Sequence, residues 1–151
     1  MQPSPTDDAF IVEAIRVARD SDHDDIPIGA VVVHNGQVIA RAANHRTQGT
    51  DPTAHAEVSA LRAAGAELGT SRLDGCDLYV TLEPCPMCAG AAVAARVRRI
   101  VFGAWNDRYG ACGSVFDIPR DRHMTHRPEV VGGIREADCG ELVRAFLTHR
   151  R

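Results

Sequence analysis

Residues 28–43, IGAVVVHNGQVIARAA, are two β-rich runs meeting at Asn35-Gly36, a dipeptide that tolerates the positive φ angles a two-residue hairpin turn demands. An antiparallel strand pair this early in a 151-residue chain excludes an all-helical fold. The remainder alternates. DPTAHAEVSALRAAGAELG reads as a helix capped by Asp51 or Thr53 and running to Gly65 or slightly beyond. CDLYVTL is a short buried strand, CPMCAGAAVAARV a small-residue helix opening on proline, and RRIVFGA a further strand. Before the hairpin, Phe10, Ile11, Ala14, Ile15 and Ala18 recur at helical spacing between Asp8 and Asp20. After the strands, EADCGELVRAFLTHR carries Cys139, Leu142, Val143, Phe146 and Leu147 on the apolar side of a last helix. Strands and helices alternating at these lengths predict an α/β chain with a parallel or mixed sheet and helices on both faces.

The length suits one domain over residues 1–151, able to bury roughly two thirds of its unfolded surface. With 44% apolar and 25% charged residues, the composition excludes a disordered, fibrous or disulfide-scaffold chain. The N-terminal segment lacks a basic signal region, and Glu13 and Arg16 interrupt its apolar run, so a cytoplasmic protein without a membrane span is expected. In that compartment five cysteines stay reduced, which favours metal binding or burial over disulfides. The net charge of −3 conceals an uneven distribution. Between Arg96 and Arg127 lie Arg96, Arg98, Arg99, Arg108, Arg120, Arg122 and Arg127, against only three aspartates, and Arg144, Arg150 and Arg151 follow in the tail. Such a run is either a phosphate-facing surface or a solvated face in a chain whose 17 basic residues are all arginine.

TLEPCPMCAG holds the two most informative cysteines, Cys85 and Cys88. Alone, the pair is ambiguous between a redox motif and half of a structural zinc site, which needs four protein ligands. No second pair exists: Cys76, Cys112 and Cys139 stand singly and read as buried small residues. About thirty residues upstream, TAHAEV places His55 two residues before Glu57. His55, Cys85 and Cys88 make a three-ligand set with an open fourth position, the pattern of catalytic zinc. At the first turn of a helix, free N–H groups and the helix dipole favour thiolates, and Pro86 forfeits an N–H that would find no partner there. Glu57 is the candidate proton shuttle for a metal-activated water. On a regular helix, however, residues i and i+2 point about 200° apart, so His55 and Glu57 serve one water only beside the helix's first turn.

The order and spacing resemble the H-x-E…P-C-x-x-C signature of the zinc-dependent nucleobase deaminases. IPIGAVVV, DPTAHAEVSALR, LYVTLEPCPMCAGA, RRIVFGA, GACGSVFDI and HRPEVVGGI are similar in particular to the bacterial tRNA adenosine deaminases. The resemblance implies a three-layer α/β/α, cytidine-deaminase-like fold with a mixed, about five-stranded sheet. It implies one zinc ion on His55, Cys85 and Cys88, attack of zinc-bound hydroxide on adenine C6, and Glu57 moving protons to N1 and to the departing amine. Asn44 would hold the base, with the Ala56 N–H, Ile28 and Pro84 completing the pocket. The partner would be a tRNA anticodon loop presenting its wobble adenosine, touched by some of the arginines, and the enzyme would be a homodimer. Asn106 stands where the family carries an acid at the substrate rim, which puts strict preference for RNA over DNA in doubt unless the adjacent Asp107 takes that place. The competing enzyme reading is a guanine or cytosine deaminase. A non-catalytic, zinc-stabilised RNA-binding or partner module would instead need a fourth protein ligand, Cys112 being the nearest free thiol.

Overall fold

The computed structural model describes residues 3–21, 24–45 and 49–149. The tail residues Arg150 and Arg151 lie outside them. Five strands, β1 (Gly29–His34), β2 (Gln37–Ala43), β3 (Cys76–Leu82), β4 (Arg99–Ala104) and β5 (Glu129–Val131), form one sheet ordered β2-β1-β3-β4-β5. β1 pairs antiparallel with both β2 and β3, whereas β3, β4 and β5 run parallel to one another. The hairpin turns where the sequence predicts it, with φ of 52° at Asn35 and 76° at Gly36. The mixed sheet is therefore as expected. β5 lies within HRPEVVGGI, but at three residues it is too short for alternation to mark it as a strand.

Successive side chains of a strand face opposite ways, and the core divides accordingly. Val32, Leu78, Val80, Ile100 and Phe102 pack under helices α2 (Ala56–Leu68) and α3 (Pro86–Ala95). Val31, Val33, Tyr79 and Val101 pack against α1 (Pro5–Arg19) and α4 (Glu136–His149) on the other face. The result is a three-layer α/β/α arrangement. α1 lies so close to β1 that a Cβ on Gly29 would collide with the Ala14 carbonyl. α1 also starts before the predicted Asp8, because Ser4 and Asp7 form a capping box. On α4, Cys139 is buried as expected, while Leu147 at the far end is half exposed.

Asp7 continues from that cap into the interior. Its carboxylate accepts from Ser4 N at 2.8 Å, from the Tyr79 hydroxyl at 2.7 Å and from both Arg99 terminal nitrogens at 2.9 and 2.8 Å. Arg99 also approaches Asp77 at 3.6 Å and Glu129 at 3.8 Å, joining α1 to β3, β4 and β5. At 7% exposure Arg99 is a structural arginine. This corrects its assignment to RNA contact: one buried guanidinium with carboxylate partners has no face left for phosphate.

Burial alone would raise the Asp7 pKa, but the bonds from Arg99, Ser4 and Tyr79 outweigh it and hold the carboxyl below its ordinary value. A depressed native pKa stabilises the fold above the unfolded value near 3.9, and that contribution is lost as pH falls below it. Asp7→Asn, which leaves Arg99 short of a buried partner, is expected to cost roughly 3–5 kcal/mol at pH 7. Urea midpoints of the parent should fall more steeply than those of the variant between about pH 5 and pH 3. Equal slopes in the two proteins would remove Asp7 from the acid response.

Candidate active site

β3 delivers the chain at Leu82 to Glu83, Pro84 and Cys85, and α3 begins at Pro86. Cys85 occupies the N-cap with extended backbone (φ −72°, ψ 173°), Pro86 falls in the first turn, and Cys88 is the helix's third residue. α2, on the same face of the sheet, begins likewise with His55 at its N-cap (φ −70°, ψ 152°). The predicted caps, Asp51 and Thr53, lie outside the helix. Asp51 Oδ1 instead accepts the Thr53 N–H at 2.9 Å and its hydroxyl at 2.8 Å, closing a turn that leads in. Because His55 is not yet helical, the 200° objection does not apply, and Glu57 is the second helical residue beside it.

The two helix starts bring His55 Nδ1 to 3.6 Å from Cys85 Sγ and 3.4 Å from Cys88 Sγ. Ligands at about 2.1 Å (nitrogen) and about 2.3 Å (sulfur) from one tetrahedral zinc stand about 3.6 Å apart, so the three donors fit a single ion. They form the one His/Cys/Asp/Glu cluster with all ligand atoms within 4.8 Å of one another among the described residues. Cys112 is not in it, so the four-ligand structural site has no fourth ligand here. Without metal the two thiols share protons unequally. Hydrogen bonding from Cys88, helped by His55 against the effect of burial, draws Cys85 down to about 4, and sharing with that thiolate pushes Cys88 up. A divalent cation removes the competition by binding both as thiolates.

Glu57 is 4% exposed, and burial raises its carboxyl to about 7, with the nearby Cys85 charge adding and its own backbone N–H opposing. A carboxyl so placed both takes and gives a proton near neutral pH. Asn44, at the end of β2, aims Oδ1 at α2, where it accepts the Ala56 N–H at 2.8 Å. The Ala56 N–H is thus occupied by protein, which corrects its expected place in the pocket, and the Ala56 side chain is wholly buried in the core.

His55, Glu57, Asn44 and Cys85 share a cavity of about 500 Å³ walled by Ile28, Leu82 and Asn106 and rimmed by Ile26, Met87 and Tyr109. Pro84, expected in the wall, is not among the lining residues, and its carbonyl accepts from Ala111 N at 2.8 Å; Pro86 and Met87 line the cavity instead. Asn106 reaches the cavity and Asp107 does not, so no one-residue shift restores the acid. Glu83 was not singled out from sequence. Its buried carboxylate accepts from Asn106 N (3.0 Å), Cys112 N (2.9 Å), Ser114 N (3.0 Å) and the Ser114 hydroxyl, pinning the loop that carries Asn106. The available signal was an acid at the end of an apolar strand, beside Pro-Cys.

Strand β4 splits the arginine run. Arg99 begins it and Ala104 ends it, about 16 Å away at about 3.3 Å per residue. Arg96 and Arg98 precede the strand, and Arg98 pairs with Asp77 at 2.6 Å. Arg127 lies beside β5, which starts opposite Arg99. These three are at the sheet end away from the metal cluster. Arg120 is tied to Asp117 at 2.7 Å and to the Cys112 carbonyl at 3.2 Å. Arg122 is exposed beyond it, and Arg108 alone of the seven lies on the loop segment between the cavity residues Asn106 and Tyr109.

Two helix starts bring together one histidine and two cysteines with a buried acid beside them, a donor set that fits hydrolytic zinc, and residues 4–104 match the model of the cytidine and deoxycytidylate deaminase zinc-binding region. The chain belongs to that deaminase family and is a zinc-dependent hydrolase acting on a C–N bond. Within the family it is 44% identical over 146 residues to the tRNA-specific adenosine deaminase of Bacillus subtilis, covering 96% of this chain and 91% of that one. A solved structure from work on A-to-I editing by tRNA:A34 deaminases at the wobble position superposes with a TM-score of 0.86 and 43% identity, covering 89% of this chain and 98% of the other. The guanine deaminase from Nitrosomonas europaea superposes with a TM-score of 0.77 and 30% identity, covering 98% and 87%. No helix among the described residues is long and apolar enough to cross a membrane.

Proposed function

We propose that this chain, as one deaminase domain, converts the wobble adenosine of a tRNA anticodon loop to inosine, releasing ammonia. The observation that carries this reading is the 43% identity to the tRNA:A34 deaminase structure over 98% of that structure's length. The fit to guanine deaminase is looser in both identity and superposition. The reading extends to a cytoplasmic homodimer.

Zinc held by His55, Cys85 and Cys88 supplies a Lewis acid that makes water nucleophilic at neutral pH. The chain supplies the rest. Glu57, buried beside the cluster, takes one proton of the attacking water and passes it to ring N1 as oxygen bonds to C6; it then takes the remaining proton of that C6 hydroxyl and gives it to the amine as the C6–N bond breaks, releasing ammonia and leaving the C6 carbonyl of inosine. Asn44, its oxygen committed to Ala56, presents amide hydrogens, which suit a ring-nitrogen acceptor of the base. Ile28 and Leu82 give the flat ring apolar contacts. A base paired in a stem cannot enter such a cavity, so a looped-out nucleotide is the matching substrate.

Incubation with total tRNA is expected to yield inosine at the wobble position, with no ammonia from free guanine or cytosine. The rate on tRNA should fall steeply as salt rises, because phosphate contacts release counterions. Ammonia from a free base at a salt-independent rate would replace this reading with the guanine or cytosine one.

A further inference from the structure

The geometry points to Tyr109 as the aromatic platform on which a base adjacent to the target adenosine stacks, an inference that rests on the tRNA reading above. Tyr109 is 64% exposed, the most exposed of the large apolar side chains among the described residues, yet it borders the cavity that holds His55 and Glu57. A solvated aromatic on a catalytic rim asks for a ligand.

Its backbone is fixed before any substrate arrives. Asn106 Oδ1 accepts the N–H groups of Arg108 and Tyr109 at 3.2 and 3.1 Å, and Gly110 N donates to Asn106 O at 2.8 Å. Glu83 holds the same loop from beneath, so close to Gly110 that a Cβ there would meet the Glu83 carboxyl. A ring on an anchored loop loses little entropy when a base stacks on it.

The cavity, about 500 Å³, is in the range of small-molecule sites, so the target base enters and its neighbours stay at the mouth. The exposed apolar side chains that line the cavity are Tyr109 together with Met87 and Ile26, the last two both 38% exposed. Arg108, next to Tyr109, has no ion-pair partner among the described residues and stands where the adjoining phosphate would pass. Splayed loop bases are held by such aromatic faces, in a manner indifferent to which base is presented.

The test uses an anticodon stem-loop hairpin and two copies of it carrying an abasic site immediately 5′ or 3′ of the target adenosine. Tyr109→Ala should raise KM for the intact hairpin roughly 5- to 150-fold, what one base–aromatic stack is worth, with little change in kcat. Tyr109→Phe should retain the parent KM. In the parent, one of the two abasic hairpins should show the same rise, and Tyr109→Ala should show no further rise on that hairpin. An unchanged KM in Tyr109→Ala, loss of affinity in Tyr109→Phe, or rises that add on both abasic hairpins would overturn the assignment. A parent enzyme that leaves all three hairpins untouched would instead refute the tRNA reading itself.

Discussion

Glu57→Gln is expected to lower the deamination rate by about 10²- to 10⁴-fold while the protein keeps one zinc per chain. The carboxyl is buried beside the cluster but is not one of its three ligand atoms, so the amide preserves shape and packing while removing the group proposed to carry protons. Ammonia release and metal content measured on the same preparation separate the two roles. Loss of zinc together with activity would make Glu57 a ligand, and full activity would place the proton shuttle elsewhere.

Cys88→Ser should abolish activity through the metal. Cys88 is wholly buried at the third position of α3, with His55 Nδ1 3.4 Å from its sulfur. A serine hydroxyl does not ionise near neutral pH and is shorter, so two donors remain where three are needed. The expected outcome is a chain that binds zinc substoichiometrically and releases no detectable ammonia. Chelation of the parent should give the same loss, reversed when zinc is restored. A Cys88→Ser protein with full zinc and full activity would mean that the cluster is not the catalytic metal site. Together with Glu57→Gln, this variant separates a lost metal from a lost proton carrier.

Much of the architecture was legible because it is written in local patterns. Asn35-Gly36 has one comfortable use between two β-rich runs, and both residues adopt the positive φ it predicts. CDLYVTL became β3 over the same seven residues. Where the sequence misled, a long-range contact had overridden a local preference. Asp51 and Thr53 are good helix caps, but they spend their hydrogen bonds on each other, and the helix waits until His55. Arg99 looked like its neighbours in a basic run, and only the carboxylate of Asp7, 92 residues away, shows why it is buried.

By itself the sequence pointed to the chemistry: which side chains can hold a metal, which acid stands beside them, and an alternation of elements that yields a layered α/β fold. Those features depend on spacings of two or three residues, and the backbone converts such spacings directly into direction. Tertiary structure alone decided which groups face the cavity. Asn106 rather than Asp107 reaches the cavity, Ala56 gives its N–H to Asn44, and one end of β4 faces the site while Arg98 and Arg99 sit at the other. Exposure and facing depend on what packs across the sheet, and contacts between residues dozens of positions apart leave no local mark in the chain.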